Sequence, residues 1–281
     1  MILLLHNRYR TPGGEERAVA DLAWLIPREL GEDAVVLERD SASMPARDAA
    51  LGLLRGGLRP DEVAAAVRRT GARVVHAHNV NPAFGWRALA AAREAGARVV
   101  LHLHNYRLVC ANGICFTGGA DCTRCHGRWT APGVALNCRG GSRAEAAVYG
   151  AALAAWQQRL AASVDHFVVP SAFALERLRT LGAPVGNRVT VVPSVQRTFA
   201  ETSSAGTGAF VLFAGRVAAE KGVWDAVAAC RAADLPLVVA GDGPELEALR
   251  GTAGVDVRGR VEPAALAELR ARAGAAIVPS R

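Results

Sequence analysis

Lysine is all but missing from this chain. The 33 lysines and arginines of the 281-residue sequence include a single lysine, Lys221. Long apolar runs are missing as well. The longest, Ala146 to Trp156, is too short to cross a bilayer and lies between Arg143 and Gln157. No secretion signal is legible either, because the apolar start Met1 to Leu5 is broken at once by His6 and Arg8. The basic residues leave a net charge of +7 but form no long cluster, which argues against a nucleic-acid partner. Together these absences predict a cytoplasmic chain whose six cysteines stay reduced or bind metal rather than pair.

At 51% hydrophobic and 21% charged residues, the composition is that of a globular protein with material for sizeable cores. The length suggests two domains. The positive charge suits an anionic partner, such as a nucleotide or a phosphorylated lipid, and peripheral contact with the inner face of a membrane. An arginine-rich compositional bias would produce the same charge without a partner.

The lone lysine stands in the most informative stretch. Phe210 to Ala214 reads as a buried strand; Gly215, Arg216, Glu220 and Lys221 follow, and Gly222 opens a helical run. A strand, a basic loop and a helix start form a phosphate-holding arrangement, because the helix N-terminus offers free N–H groups and partial positive charge. An ammonium is a compact point charge on a flexible stem, and suits a phosphate where a planar guanidinium does not fit. The plain alternative is a solvated cation at a helix start.

Strands and helices alternate through the rest of the chain, predicting α/β architecture with parallel sheets covered on both faces. In the first half, strands are expected at 2–5, 34–37, 73–78, 98–104, 165–169 and 188–192. Helices are expected at 15–30, 60–71, 83–95, 143–162, opened by a Ser142/Glu145 capping box, and 171–181. In the second half, the strands fall at 210–214, 236–240, 255–258 and 275–278, with a helix at 263–272. Residues 194–208 turn polar and read as a linker between domains 1–193 and 209–281. Gly13 and Gly14 lie between a strand and a helix, where glycine lets the backbone approach a ligand or simply makes a tight turn. Gly241-Asp242-Gly243-Pro244 is a second such turn.

Four of the seven histidines form two pairs, His76 with His78 and His102 with His104. Each pair has period two, so its members face one side of a strand, and each lies at the strand's carboxyl end. Ligands of open parallel sheets bind outside those ends. His104 leads into the loop Asn105-Tyr106-Arg107 and is the candidate for chemistry; His76 and His102 read as hydrogen-bonded core histidines.

Residues 110–138 show little helix or strand pattern and hold Cys110, Cys115, Cys122, Cys125 and Cys138. Cys122 and Cys125 have the C-x2-C spacing that lets two thiolates chelate one tetrahedral ion. Cys110 or Cys115 with Cys138 would complete a structural zinc site, with His126 in reserve; free thiols are the alternative.

These motifs, in this order, resemble those of the family 4 glycosyltransferases. The matching stretches are Pro12-Gly13-Gly14-Glu15, Val75-His76-Ala77-His78-Asn79, Leu103-His104-Asn105-Tyr106-Arg107, the cysteine insertion, Val169-Pro170-Ser171, Gly215-Arg216 with Glu220-Lys221-Gly222, and Gly241-Asp242-Gly243-Pro244. The resemblance implies the GT-B fold of two Rossmann-like domains, the first carrying the cysteine-rich insertion and the acceptor, the second binding the nucleotide sugar. It implies transfer of a hexosyl-type sugar, with retention of configuration, from a nucleotide-diphosphate-sugar donor to a carbohydrate or lipid-linked acceptor, in polysaccharide or glycolipid biosynthesis. Arg216, Lys221, Gly13 and Gly14 would hold the diphosphate, and His104 would serve the donor sugar. His78, Asn105, Gly241 and Gly243 would contact donor or acceptor. No Asp-x-Asp occurs in the chain, in keeping with a leaving group held by side-chain cations and no catalytic cofactor. Ser194-Val195 stands where many members have Asn-Gly. The chain ends before the place of the family's E-x7-E element, so the second domain is expected to be truncated. The competing readings are an inactive fragment or nucleotide-diphosphate-binding protein of the same fold, a nucleotide-sugar epimerase, and a metal-knuckle nucleic-acid binder.

Overall fold

A computed structural model describes residues 1–10, 13–195, 197 and 205–280. They divide into two compact units, residues 1–115 with 122–197, and residues 116–121 with 198–281. Pro12 and most of the expected linker, 194–208, lie outside the described residues.

The first unit is a doubly wound parallel sheet. Its strands are β1 (Ile2–Arg8), β2 (Ala34–Asp40), β3 (Val74–Ala77), β4 (Arg98–His102), β7 (His166–Val169) and β8 (Val189–Val191), ordered β2-β1-β3-β4-β7-β8. One register row, Leu37–Leu5–Ala77–Leu101–Phe167–Val189, crosses all six. Strand side chains alternate between faces. Leu3, Leu5, Val75, Ala77, Val99 and Leu101 therefore share a face, and pack with residues of α3 (Pro60–Thr70), α4 (Gly85–Glu94), α6 (Arg143–Ala162) and α7 (Ala172–Thr180). On the opposite face Leu4 packs with Val19 and Ile26 of α1 (Gly14–Leu30). His6, His76 and His102 alternate with the first set and so share the face of Leu4.

Helix boundaries follow local chemistry. Gly31 ends α1 and Gly71 ends α3, both with positive φ, as the sequence led one to expect. Ser142 caps α6 by accepting from the Glu145 N–H at 3.2 Å. The expected capping box is only half made: Glu145 turns its carboxylate to Arg139, and the Ser142 N–H goes to the Arg139 carbonyl at 2.7 Å. Helix α2 (Ala46–Arg55) was not anticipated; it packs against α6. Within the cysteine segment, a hairpin of β5 (Phe116–Thr117) and β6 (Ala120–Asp121) and a short α5 (Ala131–Ala135) also appear.

The second unit has its own parallel sheet, ordered β11-β10-β9-β12, from β9 (Val211–Ala214), β10 (Leu237–Ala240), β11 (Val255–Gly259) and β12 (Ala275–Ala276). Val211, Phe213, Leu237 and Val239 pack with α8 (Val223–Ala232) and α9 (Leu246–Leu249). Leu212 and Val238 pack on the other face with Leu266 and Leu269 of α10 (Pro263–Arg272). In each unit the first strand has neighbours whose connections lead to opposite sides. That reversal opens a crevice at the carboxyl ends, between β1 and β3 in one unit and between β9 and β12 in the other.

Candidate functional site

The β1–β3 crevice is lined by imidazoles. His76 from β3 and His102 from β4 stack with His78 and His104, which lie just past the ends of those strands, and His6 from β1 meets His78 edge-on. Ring centroids are 4.7 Å apart for His76–His78, 5.4 Å for His78–His102 and 4.0 Å for His102–His104. His78 Nδ1 and His104 Nε2 lie 2.9 Å apart, so one of them donates to the other. Strand β4 ends at His102, two residues short of the expected end, which leaves His104 just past the ladder. His76 and His102 lie inside as expected, but not as satisfied core histidines: His76 Nε2 and His102 Nδ1 find no partner among the described residues. Burial holds these rings neutral. It lowers His76 and His102 to about 4 and His104 to about 3, and pulls His78 well below the ordinary value.

Beside the imidazoles is a buried carboxyl that sequence reasoning missed. Glu15, in the first turn of α1, accepts from the Tyr9 hydroxyl at 2.6 Å and from Asn105 Nδ2 at 3.4 Å. Asn105 also donates to the Tyr9 oxygen at 3.0 Å, while its own oxygen takes the Arg107 N–H at 3.0 Å. The Arg107 guanidinium lies 4.5 Å over the Tyr9 ring. Burial dominates and pushes Glu15 up to about 7, against the pull of Tyr9, Arg107 and Asn105. Its neighbour Glu16 closes the glycine loop, accepting from Gly13 N–H at 2.6 Å and Tyr9 N–H at 2.9 Å. The Gly13 N–H expected to face a phosphate is thus covered by a carboxylate.

These groups line part of a recess of about 710 Å³, its open mouth included. Its lining holds Glu15, His78, His104, Asn105, Arg107 and Gln157 together with Leu53, Trp86, Leu153 and Trp156. The recess rests on close backbone packing. At Gly57, φ is +121°, and a Cβ would stand 1.8 Å from the Phe84 carbonyl oxygen; at Gly85, φ is +61°, and a Cβ would strike the Gly56 carbonyl at 2.2 Å. Arg39 pins the same two loops, donating to the carbonyls of Leu58, Ala83 and Arg59 at 2.7, 2.9 and 3.0 Å and to Glu62 at 2.8 Å.

In the second unit, Gly215, Arg216 and Lys221 follow β9 as expected, with a 3-10 turn at Ala219–Lys221 before Gly222 caps α8. Arg216 is paired with Glu220 and its side chain is 57% exposed. Lys221 is exposed and makes no ion pair among the described residues. Gly241 and Gly243 serve the backbone: a Cβ at Gly241 would sit 1.8 Å from the Gly215 carbonyl oxygen, and one at Gly243 would sit 2.2 Å from that of Val217. Val217 N–H in turn donates to Asp242 O at 2.9 Å. Through these contacts the two glycines shape the loop that carries Arg216.

Among the described residues, one group has the donor spacing for a metal: His76, His78 and His102, with ligand nitrogens within 4.8 Å of one another. The cysteines form no such group and no disulfide among the described residues. Cys110 and Cys115 do meet; the Cys115 hydrogen bond lowers Cys110 to about 6. Cys125 is raised by burial, with Cys110 and Cys122 near enough to add to that. Among the described residues, no helix is long and apolar enough to cross a membrane.

The sequence profile of the glycosyl transferase 4-like domain matches residues 8–194. Comparison with curated proteins gives no match. Among solved structures, AviGT4, a glycosyltransferase involved in avilamycin A biosynthesis, aligns with a TM-score of 0.52 and 19% identity over 100% of this chain and 69% of that one. HepE of Anabaena, solved in complex with UDP, gives 0.46 and 13% over 92% of this chain and 69% of that one. The spinosyn forosaminyltransferase SpnP gives 0.45 and 14% over the same shares, 92% and 69%. At these identities the likeness is one of fold.

Proposed function

This chain belongs to the glycosyl transferase 4-like family, and from that premise we propose that it transfers a sugar from a nucleotide-diphosphate-sugar donor to an acceptor hydroxyl, with retention of configuration. The observation that carries the reading is the recess at the β3 and β4 ends, where neutral imidazoles and a protonatable carboxyl meet.

Breaking a glycosyl–phosphate bond builds positive charge on the sugar and negative charge on the diphosphate. Arg216 and Lys221 answer the negative charge. Exposed cations lose little in leaving water for an anion, and Arg216 exchanges Glu220 for phosphate. Gly13 joins them only when the phosphate displaces the Glu16 carboxylate; Gly14 is its neighbour at the start of α1. His104 answers the sugar. Held neutral, it does not repel the developing positive charge, and its bond to His78 fixes which nitrogen it presents. If His78 donates, His104 offers an Nδ1–H donor; if His104 donates, it offers a lone pair. Glu15 and Asn105 orient the acceptor hydroxyl, which is carried by a carbohydrate or a lipid-linked head group.

The test is release of nucleoside diphosphate from a panel of nucleotide sugars, with and without glycoside acceptors, and NMR of the product's anomeric configuration. Acceptor-dependent release with a retained anomer is expected. Release with no glycoside formed, or an epimerised sugar, contradicts the proposal.

A further inference from the structure

We propose that His76, His78 and His102 bind one divalent transition-metal ion, of the class to which zinc and cobalt belong. The site needs no sugar donor, so it stands apart from the transferase reading. The backbone makes the group. His76 and His78 are two residues apart and face one side. The parallel ladder sets His76 beside Val100 and Ala77 beside Leu101, so His102 comes next, alongside His78. Ligand nitrogens of the three lie within 4.8 Å of one another. Each residue also carries a buried ring nitrogen with no partner among the described residues: His76 Nε2, His78 Nε2 and His102 Nδ1. His78 and His102 are only 3% and 7% exposed. Bare buried polar atoms are costly, and three at one place point to a guest that takes lone pairs. Imidazole is the ligand that zinc, cobalt, nickel and copper share. Buried water is the rival guest.

The outer partners fit an ion as well. A metal on His78 Nε2 leaves the ring proton on Nδ1, which lies 2.9 Å from His104 Nε2 and donates to it. Metal-bound histidines make such a bond as a rule, and it fixes their tautomer. Here it fixes a second one, because His104 accepts at Nε2 and keeps its own proton on Nδ1. His6 stands edge-on to His78, with its Nε2 3.6 Å from Glu16 Oε1, so a carboxylate lies one ring away to offset the ion's charge. The three rings are stacked at interplanar angles of 21°, 10° and 30°. Closing on an ion at about 2.0–2.1 Å requires them to turn. The bare nitrogens of His76 and His102 hold no bond that resists this. Three protein ligands leave a fourth position for water, and His76, which is partly exposed, marks the way in from solvent.

The experiment titrates the chain, free of any affinity tag and stripped with a chelator, with Co²⁺ and then Zn²⁺. The cobalt spectrum tells the ligands apart, because thiolates add a sulfur-to-cobalt charge-transfer band that imidazoles do not. The expected result is one equivalent of Co²⁺ with ligand-field bands and no charge-transfer band, displaced by Zn²⁺. NMR should show Zn²⁺ moving the ring resonances of His76, His78 and His102 and leaving those of His126 and His166 in place. His76→Gln, at a partly exposed position, should weaken Co²⁺ binding at least tenfold while the metal-free variant keeps the parent's thermal midpoint. If that variant fails to fold, the ring resonances of the parent decide. Failure to bind Co²⁺ overturns the proposal. So does binding through thiolates, seen as a charge-transfer band and an affinity that His76→Gln leaves unchanged. Ring resonances of the three histidines that Zn²⁺ does not move also overturn it, and leave water as the guest.

Discussion

The two units hold their candidate residues at the carboxyl ends of parallel strands near a reversal of strand order, but in opposite physical states. In the first unit the groups are buried, mutually hydrogen-bonded and shifted in protonation: neutral imidazoles down to about 3 and a carboxyl raised to about 7. In the second unit the groups are exposed charges, Arg216 balanced by Glu220 and Lys221 open to solvent. Buried groups gain directional chemistry at the cost of desolvation, whereas exposed cations keep full charge and exchange one anion for another. A reaction that builds positive charge on a sugar and negative charge on a diphosphate uses one state for each.

The largest expected effect lies on the exposed side. Lys221→Ala should lower turnover by about a hundredfold or more, the scale of removing one group aimed at developing charge. Its thermal midpoint should not move, because an exposed side chain adds little to stability. Unchanged kinetics would break the assignment of the second unit.

The next effect belongs to the buried side and concerns stability. His76, His102 and His104 have folded pKa values below the unfolded 6.5, at about 4, 4 and 3. Between these values and 6.5 the unfolded chain binds more protons, so stability falls as pH drops through that window. The loss should be on the order of a few kcal/mol per histidine by pH 4. Denaturant unfolding between pH 7 and 4.5 measures it, and a flat profile would remove the claim that burial keeps the stack neutral.

Glu15 works in the opposite sense. Its folded pKa, about 7, is raised above the ordinary 4.5. Stability is therefore undiminished below pH 4.5 and falls as pH rises toward 7. Glu15→Gln should abolish this loss, making the variant more stable than the parent by about 1–3 kcal/mol at pH 8, and should flatten the acidic limb of the turnover profile. A variant less stable at pH 8 would show that the Tyr9 and Asn105 bonds outweigh desolvation.

The smallest effect returns to the exposed side. Glu220→Ala should change stability by less than about 1 kcal/mol but tighten nucleoside diphosphate binding by releasing Arg216. Weaker binding would show that Glu220 positions Arg216 rather than competing for it.

What was legible in the chain was whatever sequence spacing encodes. His76, His78, His102 and His104 announced themselves by period two at strand ends, and Lys221 by its rarity between a strand and a helix. His6 did not, because it stands alone in β1 and reaches His78, edge-on, only through strand pairing. Glu15 looked like any acid in a first helical turn; its burial comes from Tyr9 and from Asn105, 90 residues away. Trp86 and Trp156 carry no shared motif, and meet because Gly57 and Gly85 let two loops close on each other. The fold order followed from alternating apolar runs, while α2 lacked a cap signal and was missed. At Ser142 the motif was present, but Arg139 drew Glu145 away from it.

The central claim is that the first unit holds its histidine stack neutral while the second keeps its cations charged. The most direct measurement is NMR of the histidine ring resonances from pH 8 to 5. The account predicts that His76, His78, His102 and His104 stay neutral throughout, with no titration above pH 5. A ring among these four that titrates near 6.5 would contradict it.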